Sequence, residues 1–126
     1  MDIDNLTHRV IGSAYKVHNT LGFGFLEKVY ENALKYELKK HGIYVQQQAR
    51  IPVWYDGQQV GVYYPDLWIE AQLIIEIKAA VALAPEHEMQ LVHYLAATGI
   101  DHGLLINFGE RVQIKRKFRE YRPRNN

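Results

Sequence analysis

The sequence contains no cysteine, which excludes disulfide bonds, zinc sites with thiolate ligands and cysteine-ligated iron–sulfur clusters. It also lacks an apolar run long enough to cross a bilayer. Asp2 and Asp4 stand where a secretory signal peptide would carry basic residues. Because proteins without disulfides suit a reducing compartment, we expect a cytoplasmic protein that does not enter the membrane.

Acidic residues are scarce at the carboxyl-terminal end. Residues 111–126 contain seven basic side chains and a single acid, Glu120, although the net charge of the whole chain is only +1. The rest of the chain is therefore acidic. This uneven distribution suits a protein that binds a divalent cation in one place and phosphates in another, and it equally suits a solvated basic tail.

Apolar residues spaced three and four apart predict three helices. They run from about Leu6 to Leu21 with Asp4 or Asn5 as N-cap, from Leu26 to His41, and from Pro85 to Ala97. The side chains that we expect on the core face of the third helix are Met89, Val92, Leu95 and Ala96.

The strand-like segments follow the second and third helices. Three runs lie between residues 45 and 78, with turns at Asp56-Gly57 and near Ala71, and two more cover residues 103–108 and 112–118. The pattern alone predicts a mixed α/β domain with an antiparallel meander. A chain of this length suits one domain, which we place at residues 1–120, with a basic, frayed tail at residues 121–126.

Two carboxylates and an ammonium group are predicted to converge in the middle of the chain. Asp66 follows Pro65, and Glu76 and Lys78 lie two residues apart in the next apolar run. Residues i and i+2 of a strand share a face, and a hairpin would return Asp66 to the neighbourhood of Glu76. Lys78 could simply neutralise one carboxylate on an exposed face. Alternatively, the carboxylates could hold Mg²⁺ or Mn²⁺, which prefer oxygen ligands.

The order Pro65-Asp66, Glu76-Ile77-Lys78 resembles the signature of the PD-(D/E)XK nuclease superfamily. The segment Gly24-Phe25-Leu26-Glu27-Lys28-Val29-Tyr30 is similar to the pattern that names one branch, the GxxExxY proteins, and the likeness continues through Tyr55-Asp56-Gly57, Gln90 and residues 106–109. The resemblance implies an α/β fold of α+β-like order. This fold is a restriction-endonuclease-like αβββαβ core with an extra N-terminal helix and a C-terminal strand, and its active site lies at the edge of the central sheet.

The resemblance also implies roles for individual residues. The metal ligands would be the side chains of Asp66, Glu76 and Glu27 and the backbone carbonyl of Ile77, around Mg²⁺ or Mn²⁺. Lys78 would activate or orient the attacking water, and Gln90 would complete the catalytic set. Tyr94 lies one helical turn after Gln90, and the resemblance places both residues beside the active site. The plainer alternatives are that Glu27 is a surface glutamate paired with Lys28, and that Gln90 and Tyr94 form the polar flank of an amphipathic helix.

The last strand carries a row of cations. Alternation puts Arg111, Gln113, Lys115 and Lys117 on one face, where they could follow a phosphate backbone. A charged edge that blocks aggregation is the alternative, and the two roles are compatible.

We therefore expect a metal-dependent nuclease that hydrolyses phosphodiester bonds of nucleic acid, with DNA favoured over RNA. The alternative is a catalytically inactive nuclease-fold module that binds nucleic acid or a protein partner. A homodimer, which many nucleases of this fold form, and a protein partner for targeting are both compatible with a chain of this size.

Overall fold

Three helices and seven strands form residues 1–120, the part of the chain that the computed structural model describes. The helices are α1 (Ile3–Leu21), α2 (Glu27–Lys40) and α3 (Pro85–Thr98). The strands are β1 (Val45–Gln47), β2 (Ile51–Tyr55), β3 (Gln58–Tyr63), β4 (Leu67–Ile69), β5 (Leu73–Lys78), β6 (His102–Phe108) and β7 (Val112–Phe118). The predicted basic tail at residues 121–126 lies outside the described residues.

A five-stranded sheet in the order β1-β4-β5-β6-β7 forms the centre of the fold. Strands β5 and β6 are parallel and are connected through α3, while the other neighbours are antiparallel. The segments α2, β1, β4, β5, α3 and β6 make up the αβββαβ core, which α1 precedes and β7 follows. The predicted fold class is confirmed.

The sequence predicted three strands between residues 45 and 78, and the structure has five. Strands β2 and β3 pair with each other in a separate two-stranded sheet, and the predicted turn at Asp56-Gly57 connects them. The first predicted run is broken after β1, where Gln48 has a left-handed backbone with φ 53°. The second is broken at Pro65, which cannot donate a ladder hydrogen bond. The hairpin β2–β3 is thus an insertion between two core strands.

The two faces of the central sheet bury different helices. On one face, Ile75 and Ile77 pack with residues of α1 and α2. On the other, Ile74 and Leu105 pack with Leu91 of α3 and with the hairpin β2–β3. Because strand residues alternate between faces, the even-numbered residues of β5 point towards α3. None of the three helices in residues 1–120 combines the length and apolar character that a membrane crossing requires.

Two details of the helices differ from the prediction. Asp2, rather than Asp4 or Asn5, caps α1, because its side chain accepts a hydrogen bond from the backbone N–H of Asn5 at 2.8 Å. Helix α3 buries Leu91 and Leu95, whereas Met89 is 58% exposed. The helix is therefore rotated relative to the predicted core face, and this rotation directs Tyr94 towards the sheet.

Candidate active site

The pairing of β4 with β5 brings Asp66 and Glu76 together. Leu67 pairs with Ile75, so the residues just beyond them, Asp66 and Glu76, lie opposite each other across the two strands. Asp66 Oδ2 also accepts a hydrogen bond from the backbone N–H of Ile77 at 2.7 Å. The side chain of Ile77 is fully buried on the α1–α2 side, while Glu76 and Lys78 share the face towards α3.

Glu76 is held by Tyr63, which in turn stacks on Tyr94. Its Oε1 accepts a hydrogen bond from the hydroxyl of Tyr63, whose ring stacks on Tyr94 with centroids 3.8 Å apart. Burial, reinforced by the negative charge of Asp66, raises the pKa of Glu76 to about 8, although the Tyr63 hydrogen bond and Lys78 act in the opposite direction. The carboxyl group thus sits where an added positive charge would favour its ionised form.

Lys78 is partly exposed beside this pair. Within residues 1–120, its ammonium group forms no hydrogen bond or ion pair, and its charge acts on Glu76 only through space. Simple neutralisation of a neighbouring carboxylate would have produced an ion pair. The side chain is therefore available to a ligand at this edge of the sheet.

A third carboxylate near Asp66 comes from Glu31 of α2. Glu31 is only 3% exposed, and it accepts hydrogen bonds from Lys28 Nζ at 2.8 Å and from Gln47 Nε2 at 2.5 Å. Burial opposes ionisation of Glu31, but hydrogen bonds from Lys28, Gln47 and Gln48 outweigh burial and lower its pKa. Burial and then the charge of Glu31 raise the pKa of Asp66, against the Ile77 N–H hydrogen bond.

Glu27, to which the resemblance assigned a place at the metal, does not contact the motif carboxylates within residues 1–120, and its metal-binding role stays a prediction. It is exposed in the first turn of α2, and no hydrogen bond or ion pair within residues 1–120 connects it to Asp66 or Glu76. Glu31 is one turn further along and follows the same spacing as the buried Leu34 and Leu38. The sequence signal that could have identified Glu31 is its helical spacing from the apolar residues of α2, because a glutamate at such a position is expected to be buried.

The two predicted residues of α3 have different environments. Tyr94 reaches the site through its stack on Tyr63. Gln90 is exposed one turn earlier, and no hydrogen bond within the described residues connects it to the carboxylates. The catalytic role of Gln90 and the metal-binding role of the Ile77 carbonyl remain predictions.

The predicted row of cations on β7 extends away from the site. Gln113 is level with Asn107 and, through β6, with Lys78. Lys117 is instead level with Gly103, at the opposite end of the sheet, and forms an ion pair with Glu88 at 2.7 Å. Arg111 and Lys115 are exposed. Arg111, which immediately precedes β7, lies at the active-site end.

The loop after Lys78 is fixed to β6 by a buried asparagine. Asn107 is fully buried; its Oδ1 accepts from the N–H of Ala80 at 2.8 Å, and its Nδ2 donates to the carbonyl of Ala80 at 3.0 Å. Gly109 leaves room for this contact, because a Cβ there would lie 2.8 Å from the same carbonyl. These contacts restrain the backbone immediately after the lysine.

The oxygen donors of the site suit a hard cation. Mg²⁺ is commonly bound by one or two carboxylates, with waters completing its shell, and Asp66 and Glu76 provide such a pair. Within residues 1–120, no three acidic, histidine or cysteine side chains are arranged as a ready-made metal cluster. Glu31 is connected to Asp66 through Gln48, whose side-chain amide lies within 3.4 Å of both carboxylates.

Two solved structures resemble this fold. SSO0001 has a TM-score of 0.56 and 20% identity over 75% of this chain and 50% of its own. The alkaline exonuclease LHK-Exo from Laribacter hongkongensis has a TM-score of 0.54 and 16% identity over 74% of this chain and 56% of its own. At such identities the likeness shows the fold alone, and the chain spans about half the length of both proteins.

Comparison at the level of sequence gives the family. A search of proteins with curated function found no match. The family model of the PD-(D/E)XK nuclease superfamily matches residues 4–119, a range that contains both halves of the motif built around Asp66 and Glu76. The chain belongs to the PD-(D/E)XK nuclease superfamily.

Proposed function

We propose that this chain is a metal-dependent nuclease that hydrolyses phosphodiester bonds, with DNA as the favoured substrate. One observation carries the proposal: Asp66 and Glu76 lie opposite each other across β4 and β5, and on the same edge of the sheet the ammonium group of Lys78 has no ion-pair partner within the described residues. Membership of the superfamily supports a nuclease-type function for such a site.

Each residue has a chemical task in this proposal. Asp66 and Glu76 would hold Mg²⁺ or Mn²⁺, together with the carbonyl of Ile77. The bound cation would supply Lewis-acid activation at phosphorus. Lys78 would orient the attacking water and offset negative charge that develops on the phosphate. Tyr63 would keep the Glu76 carboxylate in place through its hydroxyl, and Glu31 would set the charge around Asp66.

The choice of substrate and partners belongs to the proposal as well. A structurally similar protein is an exonuclease, but this chain spans only about half of its length. Targeting by a protein partner or by a second copy of the chain would compensate for the small size of the domain.

The test is a cleavage assay on labelled single- and double-stranded DNA and RNA, with Mg²⁺, Mn²⁺ or EDTA. Wild-type protein should cleave DNA with either metal and not with EDTA. Glu76→Gln should lose cleavage, while Glu86→Gln, an exposed control on α3, should retain it. Folded wild-type protein that cleaves none of these substrates, or a fully active Glu76→Gln, would contradict the proposal.

A second candidate is an inactive module that binds nucleic acid, which the exposed cations Arg111 and Lys115 on and beside β7 favour. This candidate predicts salt-dependent binding of the same oligonucleotides without any product. Equal binding in EDTA and Mg²⁺, with no cleavage over hours, would favour it over the nuclease.

A further inference from the structure

Gln48 covers the gap between Glu31 and Asp66. Its Nε2 lies 3.4 Å from each carboxylate oxygen of Glu31 and 3.3 Å from Asp66 Oδ1. Its backbone N–H also donates to the backbone carbonyl of Asp66 at 3.1 Å. One residue is therefore attached to Asp66 through both its main chain and its side chain.

The backbone conformation of Gln48 is energetically unfavourable. Its φ of 53° lies in the left-handed region, which residues with a Cβ seldom adopt. Gln48 directly follows β1, and Asp66 directly precedes β4. The conformation therefore holds the residue between the end of one strand and the start of the other. Strained backbone of this kind is often retained where a side chain must be directed at a site.

The amide contacts themselves are weak. Distances of 3.3 and 3.4 Å exceed the usual 2.9–3.0 Å of an N–H···O hydrogen bond, and Gln48 is exposed to solvent. The amide offsets part of the repulsion between the two carboxylates, but it can turn away without breaking a strong interaction.

A glutamine amide can act either as a hydrogen-bond donor or as an acceptor. Its NH₂ group donates two hydrogen bonds, and its carbonyl oxygen accepts. Rotation about χ3 exchanges the positions of the NH₂ group and the oxygen, and this torsion is broad and roughly two-fold. Carboxylates without a cation attract the NH₂ group, whereas a cation bound at Asp66 would repel it and attract the oxygen.

We propose that Gln48 is a positioning residue that switches with the cation: it donates to Glu31 and Asp66 when no metal is bound and turns its carbonyl oxygen towards Asp66 when a divalent cation is bound there. This inference rests on the proposed function, because it requires a cation at Asp66. It adds a neutral residue from outside the motif to the cation site, one that offsets part of the repulsion between Glu31 and Asp66 without metal.

The test uses the metal alone, measured by calorimetric titration of wild-type protein, Gln48→Met and Gln48→Glu with MnCl₂. Methionine removes both donor and acceptor at similar length, so Mn²⁺ affinity should fall roughly tenfold. Glutamate keeps an acceptor, so its affinity should equal or exceed that of the wild type. In EDTA, both variants should melt below the wild type. The same changes at Gln59, exposed on β3, are matched controls that should leave affinity and melting unchanged.

A second readout is the side-chain amide signal of Gln48 in a ¹H–¹⁵N NMR spectrum, which should shift on addition of Mg²⁺ while that of Gln59 stays in place. If wild-type protein binds Mn²⁺ but Gln48→Met binds it equally or more tightly, or the Gln48 signal stays unchanged at saturating Mg²⁺, the switch is wrong although the metal site stands. If wild-type protein binds no Mn²⁺, the metal-dependent function itself is wrong, and the switch with it.

Discussion

The carboxylate of Asp66 accepts a hydrogen bond from the backbone N–H of Ile77 at 2.7 Å. This bond joins the two halves of the motif directly, because Ile77 lies between Glu76 and Lys78. It engages Oδ2 of Asp66, while Oδ1 lies on the side of Gln48. The position of Asp66 is therefore set by β5, the strand that carries Glu76 and Lys78.

This bond predicts different outcomes for two substitutions of Asp66. Asp66→Asn keeps an oxygen that can accept from Ile77, whereas Asp66→Ala leaves a buried N–H without an acceptor, which costs roughly 1–3 kcal/mol. The alanine variant should therefore melt at a lower temperature than the asparagine variant. Both should lose Mn²⁺ affinity in calorimetry. Equal melting temperatures would show that the bond contributes nothing to stability, and wild-type affinity in both variants would exclude Asp66 as a ligand.

The basic strand should affect nucleic-acid binding unevenly. Arg111 is exposed at the active-site end of β7, so Arg111→Gln should flatten the slope of log affinity against log salt by roughly 0.7–0.9. Lys117 is at the other end and already paired with Glu88, so Lys117→Gln should leave the slope unchanged. Fluorescence anisotropy in EDTA across a salt series measures both. A larger change of slope for Lys117→Gln than for Arg111→Gln would indicate that the nucleic acid contacts the end of β7 where Lys117 pairs with Glu88 of α3.

A separate prediction concerns the ion pair between α1 and α2. Lys16 Nζ lies 2.6 Å from Glu37 Oε1, and this hydrogen bond, aided by Lys40, lowers the pKa of Glu37 to about 2. Because the folded-state pKa lies below the unfolded value of 4.5, the stabilisation is present above pH 4.5 and is lost as the pH falls towards 2.

Lys16→Met should therefore raise the pKa of Glu37 and make stability depend less on pH between about 4.5 and 2. Carboxyl NMR titration and thermal unfolding across this range measure the two effects. Lys39→Met, which removes an exposed lysine of the same helix as Glu37, is the control. An unchanged Glu37 pKa in Lys16→Met would assign the shift to Lys40 instead.

The parts of the fold that depend on local sequence were predictable. Gly22 and Gly99 end α1 and α3, both with positive φ, and glycine just past the last apolar residue of a helical pattern is a common signal of a helix end. Alternation within β5 correctly predicts that Glu76 and Lys78 share one face of the strand, and Ile75 and Ile77 lie on the other. The break after β1 was not predictable, because Gln48 adopts a left-handed backbone without being glycine or asparagine, the residues that usually signal it.

The parts of the site that depend on tertiary packing were not predictable. Whether Glu27 or Glu31 approaches Asp66 depends on how α2 is placed against the sheet, and the stack of Tyr30 on Phe108, with centroids 4.6 Å apart, is one of the contacts that fix this placement. Strand alternation likewise predicts the cations of β7 as one row, because the ion pair between Lys117 and Glu88 of α3 is a tertiary contact that alternation does not reveal. The approach of Glu31 to Asp66 and the pairing of Lys117 with Glu88 both depend on contacts between residues that lie far apart in the chain.

Lys78 provides the most direct test of the central claim, that this edge of the sheet catalyses phosphodiester hydrolysis. The measurement is the single-turnover cleavage rate of Lys78→Ala with saturating Mg²⁺, beside its melting temperature. Because Lys78 has no ion-pair partner within residues 1–120, the variant should melt within a few degrees of wild type. Its rate should fall by roughly 10²–10⁴. A wild-type cleavage rate in Lys78→Ala, especially with a large loss of stability, would contradict the account and assign Lys78 a structural role.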